Sequence, residues 1–152
     1  MMLDDTDRRL LRAIQENAQL TAQDLGDRLN LSASQAGRRR QRLEQAGIVT
    51  GARAVVSPEG LGLGVQAFVQ VQMATHEPDK VRVFTRTVDT RREIVSAWTL
   101  TGEADFLLRV YCTDLGALHR LIHEVILPIP AVARVQSQIV MDQQKPDAPL
   151  PT

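Results

Sequence analysis

With a single cysteine, Cys112, this chain of 152 residues has neither a disulfide framework nor a multi-cysteine zinc site. Cys112 falls in a run that reads as a strand, where a small buried hydrophobe is its expected role. One tryptophan, one tyrosine and three phenylalanines are too few to stack successive bases of a single strand. Eighteen basic and eighteen acidic residues cancel, so the strong basic excess of many nucleic-acid binders is missing. No apolar run reaches the roughly 18 residues that cross a bilayer. Nor does a charged-then-apolar signal segment open the chain, so a cytoplasmic protein without a membrane partner is expected. No Ser–His–Asp or Cys–His set can be placed, which argues against an enzyme and leaves no catalytic residue to name. His119 and His123 stand four apart with Glu124 following, but no third ligand is fixed, so boundary histidines and no metal are expected. Lys80 and Lys145 read as surface residues.

The charge that is present is concentrated. Residues 1–56 hold nine arginines against seven acids, and Arg38, Arg39, Arg40 and Arg42 lie within five positions. Ser32 and Gln35 form a capping box ahead of them, and Gly47-Ile48 fits a left-handed stop behind them. Residues 33–46 therefore read as one helix of about four turns. At roughly 100° per residue, Ser34, Gln35, Arg38, Gln41, Arg42 and Gln45 share one face, and Ala33, Ala36 and Leu43 the other. A solvated charged face would explain this helix on its own. Upstream, however, Thr21 and Asp24 cap a second helix carrying Leu25 and Leu29, and Asn30 ends it in a left-handed cap. Asp4 caps a third, whose Asp7, Leu10, Leu11 and Ile14 follow the spacing of a buried stripe. Two helices joined through Asn30-Leu31-Ser32 make a helix-turn-helix with the arginine helix in the recognition position. Double-stranded DNA is the expected partner, and Ser34, Gln35, Arg38, Arg39, Gln41 and Arg42 the expected contacts. Arg40 points instead into the alanine stripe, so its stem must cross the small residues and end on a carboxylate or on helix-end carbonyls. Asp24 or Asp27 is the favoured partner, because their helix is nearest in chain order.

Val49–Val56 reads as a short connecting strand, closing a unit over 1–56. Ser57-Pro58-Glu59-Gly60 and the glycines that follow read as a flexible hinge over 57–64. The Gly60-x-Gly62-x-Gly64 spacing lacks the preceding strand and following helix of a dinucleotide site. From Val65 the pattern becomes period two, with Val65, Ala67, Val69, Val71 and Met73 on one face. Pro78 opens a helix with Val81, Phe84 and Val88 inside. Ile94–Thr101 and Phe106–Thr113 read as strands about a turn at Gly102-Glu103. Leu115 to Ile126 is a second helix, Val132–Met141 the last strand, and 144–152 a flexible proline-rich tail. The order βαββαβ over 65–143 is the ferredoxin-like arrangement, and the fold class of the whole chain is α+β. The sheet's far face carries Phe68 and either Trp98 or its strand neighbours, an apolar surface expected to dimerise sheet on sheet.

These segments together resemble the Lrp/AsnC (feast/famine) family of transcriptional regulators. The carrying residues are Leu3-Asp4-Asp5-Thr6-Asp7-Arg8, Leu31-Ser32, Arg42-Leu43-Glu44-Gln45-Ala46-Gly47-Ile48 and Thr101-Gly102-Glu103-Ala104-Asp105-Phe106-Leu107-Leu108. The resemblance runs from about residue 3 to 143 without a large gap. It implies an N-terminal DNA reader, a C-terminal ferredoxin-like effector domain, homodimers that often assemble to octamers, and amino acids as effectors rather than a bound cofactor.

An amino acid needs donors for its carboxylate and an acceptor for its ammonium. Exposed amides of the hairpin Thr101-Gly102-Glu103-Ala104 can supply the first, and Asp105 the second. The family often shows Gly-Asp-aromatic-Asp here, whereas this chain has Glu103 and Ala104 at the first acid and the aromatic. An ordinary hairpin with a capping aspartate is the alternative. The resemblance further implicates Leu100, Leu115, Gln138, Ile139 and Val140, through a pocket that family members build across a dimer–dimer contact. A DNA-organising protein without an effector, or a metabolite sensor that does not bind DNA, are the competing functions.

Overall fold

The computed structural model describes residues 2–152, which divide into two compact units. The first runs to Val55 and resumes at Gln144; the second is 56–143.

In the first unit, α1 (Asp5–Glu16), α2 (Ala22–Leu29) and α3 (Ala33–Gln45) each begin with a complete capping box: Asp4 with Asp7, Thr21 with Asp24, and Ser32 with Gln35. Asn30 takes the left-handed conformation that ends α2, at φ 56° and ψ 48°. At the end of α3, Gly47 has φ 71°, and the Ile48 amide donates to the Leu43 carbonyl at 3.0 Å. One glycine matters for a reason its spacing does not announce. A Cβ on Gly26 would lie 2.7 Å from the Leu31 carbonyl oxygen, so only glycine lets the turn between α2 and α3 close this tightly. Leu10, Leu25, Ala36 and Leu43 are fully buried and form the centre of this unit.

Val49–Val56 is not a strand. It pairs with no ladder among the described residues, and Val55 is 99% exposed. A β-rich composition forms a strand only against a partner, and the single chain provides none.

In the second unit, residues 57–64 form a wound turn, with a short 3-10 segment over Glu59–Leu61 and Gly62 at φ 74°. The sheet that follows comprises β1 (Val65–Met73), β2 (Ile94–Thr99), β3 (Phe106–Cys112) and β4 (Val132–Ile139). Its order is β2-β3-β1-β4 with every pairing antiparallel, the ferredoxin-like topology. α4 (Pro78–Thr90) and α5 (Leu115–Arg120) cover one face, where Val69, Val71, Leu108, Val110 and Phe84 are buried. The second helix departs from expectation, since its last part, Leu121–Ile126, widens into a π-helix. Cys112 is buried in the core, and His119 and His123 are exposed with ring centroids 4.3 Å apart.

The register settles which aromatic joins Phe68. Trp98 pairs with Leu107, which pairs with Gln70, and Phe68 pairs with Arg109 and Gln138. Trp98, Leu107 and Phe68 thus share the face turned away from the helices. Glutamines 66, 70, 72, 136 and 138 lie among them, so that face is mixed rather than purely apolar.

Candidate nucleic-acid interface and effector site

The four clustered arginines of α3 do four different things. Arg38 is exposed, and among the described residues no acidic group pairs with it. Arg39 Nη1 donates to Asp4 Oδ2 at 2.7 Å and to Asp7 Oδ1 at 2.8 Å. Arg42 Nη2 reaches both oxygens of Asp7, each at 2.7 Å. Asp7 is 1% exposed, and both of its oxygens are met by these two guanidiniums. The Asp4 carboxyl is held below its ordinary value, first by the Asp7 backbone N–H and then by Arg39. Arg39 is pushed up in turn, chiefly by Asp4 and then by Asp7.

Arg40 lies half-buried and spans to the end of α1, as its place in the stripe requires. Its Nη1 donates to the Leu20 carbonyl at 3.0 Å, Nη2 to the Ala18 carbonyl at 3.3 Å, and Nε to Glu44 at 3.0 Å. Neither Asp24 nor Asp27 is the partner, because both are already engaged. Asp24 accepts from the backbone and hydroxyl of Thr21, and Asp27 from the Gln23 amide. The spare carbonyls beyond α1 take the guanidinium instead.

Of the other residues expected at DNA, Ser34 and Gln41 are exposed on α3, as is Gln45. Gln35 is exposed, but its carbonyl oxygen is occupied by the Ser32 N–H at 3.0 Å. The freely presented set is therefore Ser34, Arg38, Gln41 and Gln45. Arg39 and Arg42, expected at the DNA, are held at their inner ends by Asp7.

In the second unit the β2–β3 connection carries Gly102 at φ 105°, with Thr101, Gly102 and Glu103 exposed. Asp105 is tied more firmly than an open ammonium acceptor would be. Its Oδ2 accepts the Met73 N–H at 2.7 Å and its Oδ1 lies 3.1 Å from His76 Nε2. Its carboxyl is held below the ordinary value, first by the Met73 amide and then by His76. The amide clamps the end of β1 where the register slips between Gln72 and Met73.

One chain does not bring the whole expected effector set together. The hairpin adjoins the pairing of Phe106 with Val71, whereas Ile139 pairs with Ala67 four positions along β1. At about 3.3 Å per residue, Gln138 and Ile139 stand roughly 10 and 13 Å away along the strands. The hairpin's neighbours are others: Gln70, Gln72, Arg134 and Gln136 line a small pocket of about 40 Å³ with Glu103 and Ala104. These four were missed in the sequence, and only the β1–β4 register could have revealed them.

Two family models cover most of the sequence. A winged helix-turn-helix DNA-binding model matches residues 3–50, and the Lrp/AsnC ligand binding domain matches 66–150. The chain belongs to the Lrp/AsnC family. It is 33% identical over 150 residues to the DNA-binding transcriptional activator DecR of Escherichia coli, covering 99% of each. It is 29% identical to the Escherichia coli leucine-responsive regulatory protein, covering 94% of this chain and 87% of that one. Among solved structures, a Neisseria meningitidis transcriptional regulator in complex with L-Met superposes with a TM-score of 0.94 at 37% identity, over 99% and 97% of the two chains. Escherichia coli AsnC gives 0.87 at 26% identity, over 97% and 98%. The protein is thus a DNA-binding transcriptional regulator with a helix-turn-helix and a ligand-binding domain, and its relatives are regulators rather than enzymes. No helix among the described residues is long and apolar enough to cross a membrane.

Proposed function

We propose that this Lrp/AsnC protein reads double-stranded DNA in a sequence-specific manner through α3, and that an amino acid modulates its DNA binding or assembly. The observation that carries the first half is the outer face of α3. Ser34, Arg38, Gln41 and Gln45 lie exposed there, while Asp7 fixes the helix through Arg39 and Arg42. A guanidinium and carboxamides on a rigid helix are the groups that pair with guanine and adenine edges in a major groove. Arg39 and Arg42 contribute chiefly by holding that helix, with phosphate contact left to their outer nitrogens.

The effector half rests on the hairpin Thr101-Gly102-Glu103 with its exposed backbone. Because Gln138 and Ile139 stand about 10–13 Å off along the strands, Leu100, Ala104, Asp105 and the hairpin meet them only if a second copy supplies one of the two sets. The effector site is therefore read as an intersubunit site, and the working form as a dimer or a larger assembly such as an octamer. Phe68, Leu107 and Trp98 on the far face of the sheet support a sheet-on-sheet dimer. An amino acid is favoured because the Neisseria meningitidis relative was solved with L-Met.

One observation favours a second reading, a DNA-organising protein without an effector. Both oxygens of Asp105 already have partners within the chain, as a purely structural aspartate would. Thermal-shift screening of the full chain against the twenty amino acids, followed by gel shift on DNA from the chain's own upstream region, separates the two. A melting shift coupled to altered DNA binding supports the effector reading; unchanged melting with every amino acid overturns it.

A further inference from the structure

Neither DNA reading nor effector binding uses the groove in which the last residues lie. The chain leaves the first unit at Val55 and returns to it at Gln144. The returning segment ends against a groove walled by Leu11 and Ile14 on α1, by Ala18 just beyond that helix, and by Ile48 and Val49 beyond α3, with Leu150, Pro151 and Thr152 themselves lining the roughly 470 Å³ of space left open there. Most of its lining is apolar, yet Leu150 is 74% exposed, so the segment is not held by a leucine pocket.

It is held by its backbone. A proline has no N–H, so within Pro149-Leu150-Pro151 the Leu150 amide is the one main-chain donor. Gln15 takes both sides of that residue. Its Oε1 accepts the Leu150 N–H at 2.7 Å, and its Nε2 donates to the Leu150 carbonyl at 3.2 Å. The carboxamide thus replaces the neighbouring strand that an isolated extended segment lacks. One turn earlier on α1, Arg12 Nη2 donates to the Thr152 carbonyl at 3.1 Å. Pro146, Pro149 and Pro151 hold φ near the extended value before docking, which lowers the entropy lost on binding. Grooves that read polyproline segments use the same economy, with polar side chains meeting the exposed carbonyls of a pre-set chain.

We propose that this groove is a binding site for an extended proline-rich peptide, and that its occupant is the chain's own 147–152 segment. Gln15 is the reading residue, Arg12 the second anchor, and recognition depends on the Leu150 N–H rather than on its side chain. The DNA-reading unit is then completed by residues about a hundred positions beyond its own helices.

Hydrogen exchange of the full chain, read by mass spectrometry on the peptide 144–152, tests this directly. The Leu150 amide within it should take up deuterium at least about tenfold more slowly than in the same sequence free in solution. Gln15→Met, which keeps a good helix former on an exposed site, should abolish that protection. Leu150→Ala, which keeps the donor and removes only the side chain, should preserve it. Free-peptide exchange of the Leu150 amide in the parent, or full protection surviving in Gln15→Met, would overturn the proposal.

Discussion

Arg42 and Asp7 sit 35 residues apart in sequence and form a two-point contact, with Nη2 2.7 Å from each carboxylate oxygen. Asp7 is 1% exposed and the Arg42 side chain 50%. The buried partner is the acid, and the arginines reach it from the outside. Asp7 also serves α1 as the returning half of its capping box. One carboxylate therefore both starts the first helix and fixes the third.

Asp7→Asn should then destabilise the first unit by about 2–3 kcal/mol, since it removes charge-assisted bonds from a buried acceptor and takes the counter-ion from Arg42, while Arg39 keeps Asp4. The exposure of Arg42 keeps the cost below that of a wholly buried pair. Chemical denaturation of the full chain provides the measurement. A change under about 0.5 kcal/mol, the size of an ordinary surface substitution, would show that Asp7 carries little of the packing.

Arg40→Ala loses two bonds to the carbonyls of Ala18 and Leu20 and one to Glu44. Because the Arg40 side chain is 29% exposed and Glu44 46%, the ion pair itself is screened. The expected cost is about 1–2 kcal/mol, carried mainly by the two carbonyls. Glu44→Gln should cost much less than Arg40→Ala in the same melting experiment. Equal losses would place the stabilisation in the ion pair instead.

Asp105 gives an acid limb. Its carboxyl is held below the ordinary value by the Met73 N–H and by His76. In the unfolded chain the same group binds its proton at a higher pH. Its contribution is therefore complete above about pH 4 and is lost as pH falls through the lower, folded value. Asp105→Asn keeps an acceptor for the Met73 amide but has no proton to take up. Its stability should fall less steeply than the parent's below about pH 4. Parallel acid limbs for the two proteins would contradict this.

Local chemistry was legible in the sequence, and long-range chemistry was not. The caps at Asp4, Thr21 and Ser32, the left-handed Asn30 and the period-two face of β1 are set by residues a few positions apart, and each appears in the structure where its spacing puts it, though the return bond of Asp7 to Asp4 was not foreseen. The same locality misled the reading of Arg40: Asp24 was near in chain order, but its own capping box had already claimed it. Arg42 looked like an outward residue because helical phase says which way a side chain leaves the helix, not what a neighbouring helix places beside it. Val49–Val56 had the composition of a strand and lacked a partner. The π-helix at Leu121–Ile126 had no signal, because its apolar residues still fit a continuous helical stripe. At the effector hairpin, the spacing located Gly102 and Asp105. It could not reveal that the backbone of Met73 holds Asp105, nor that Arg134 and Glu103 line the same pocket.

The central claim, that α3 reads DNA through its outer face, is tested most directly by comparing the salt dependence of the parent and Arg38→Ala on one duplex. Arg38 is the clustered arginine without an acidic partner among the described residues, so its removal should leave the melting temperature unchanged. The duplex should carry the chain's own upstream region, with affinity measured by fluorescence anisotropy over a range of salt concentrations. Affinity should fall linearly with the logarithm of salt for both proteins, and the slope for Arg38→Ala should be shallower by about one unit if the arginine meets a phosphate. If it reads a base instead, the two lines should run parallel, with Arg38→Ala weaker by about 1–3 kcal/mol. Superposed lines, with equal affinity at every salt concentration, would contradict the assignment of α3 as the recognition helix.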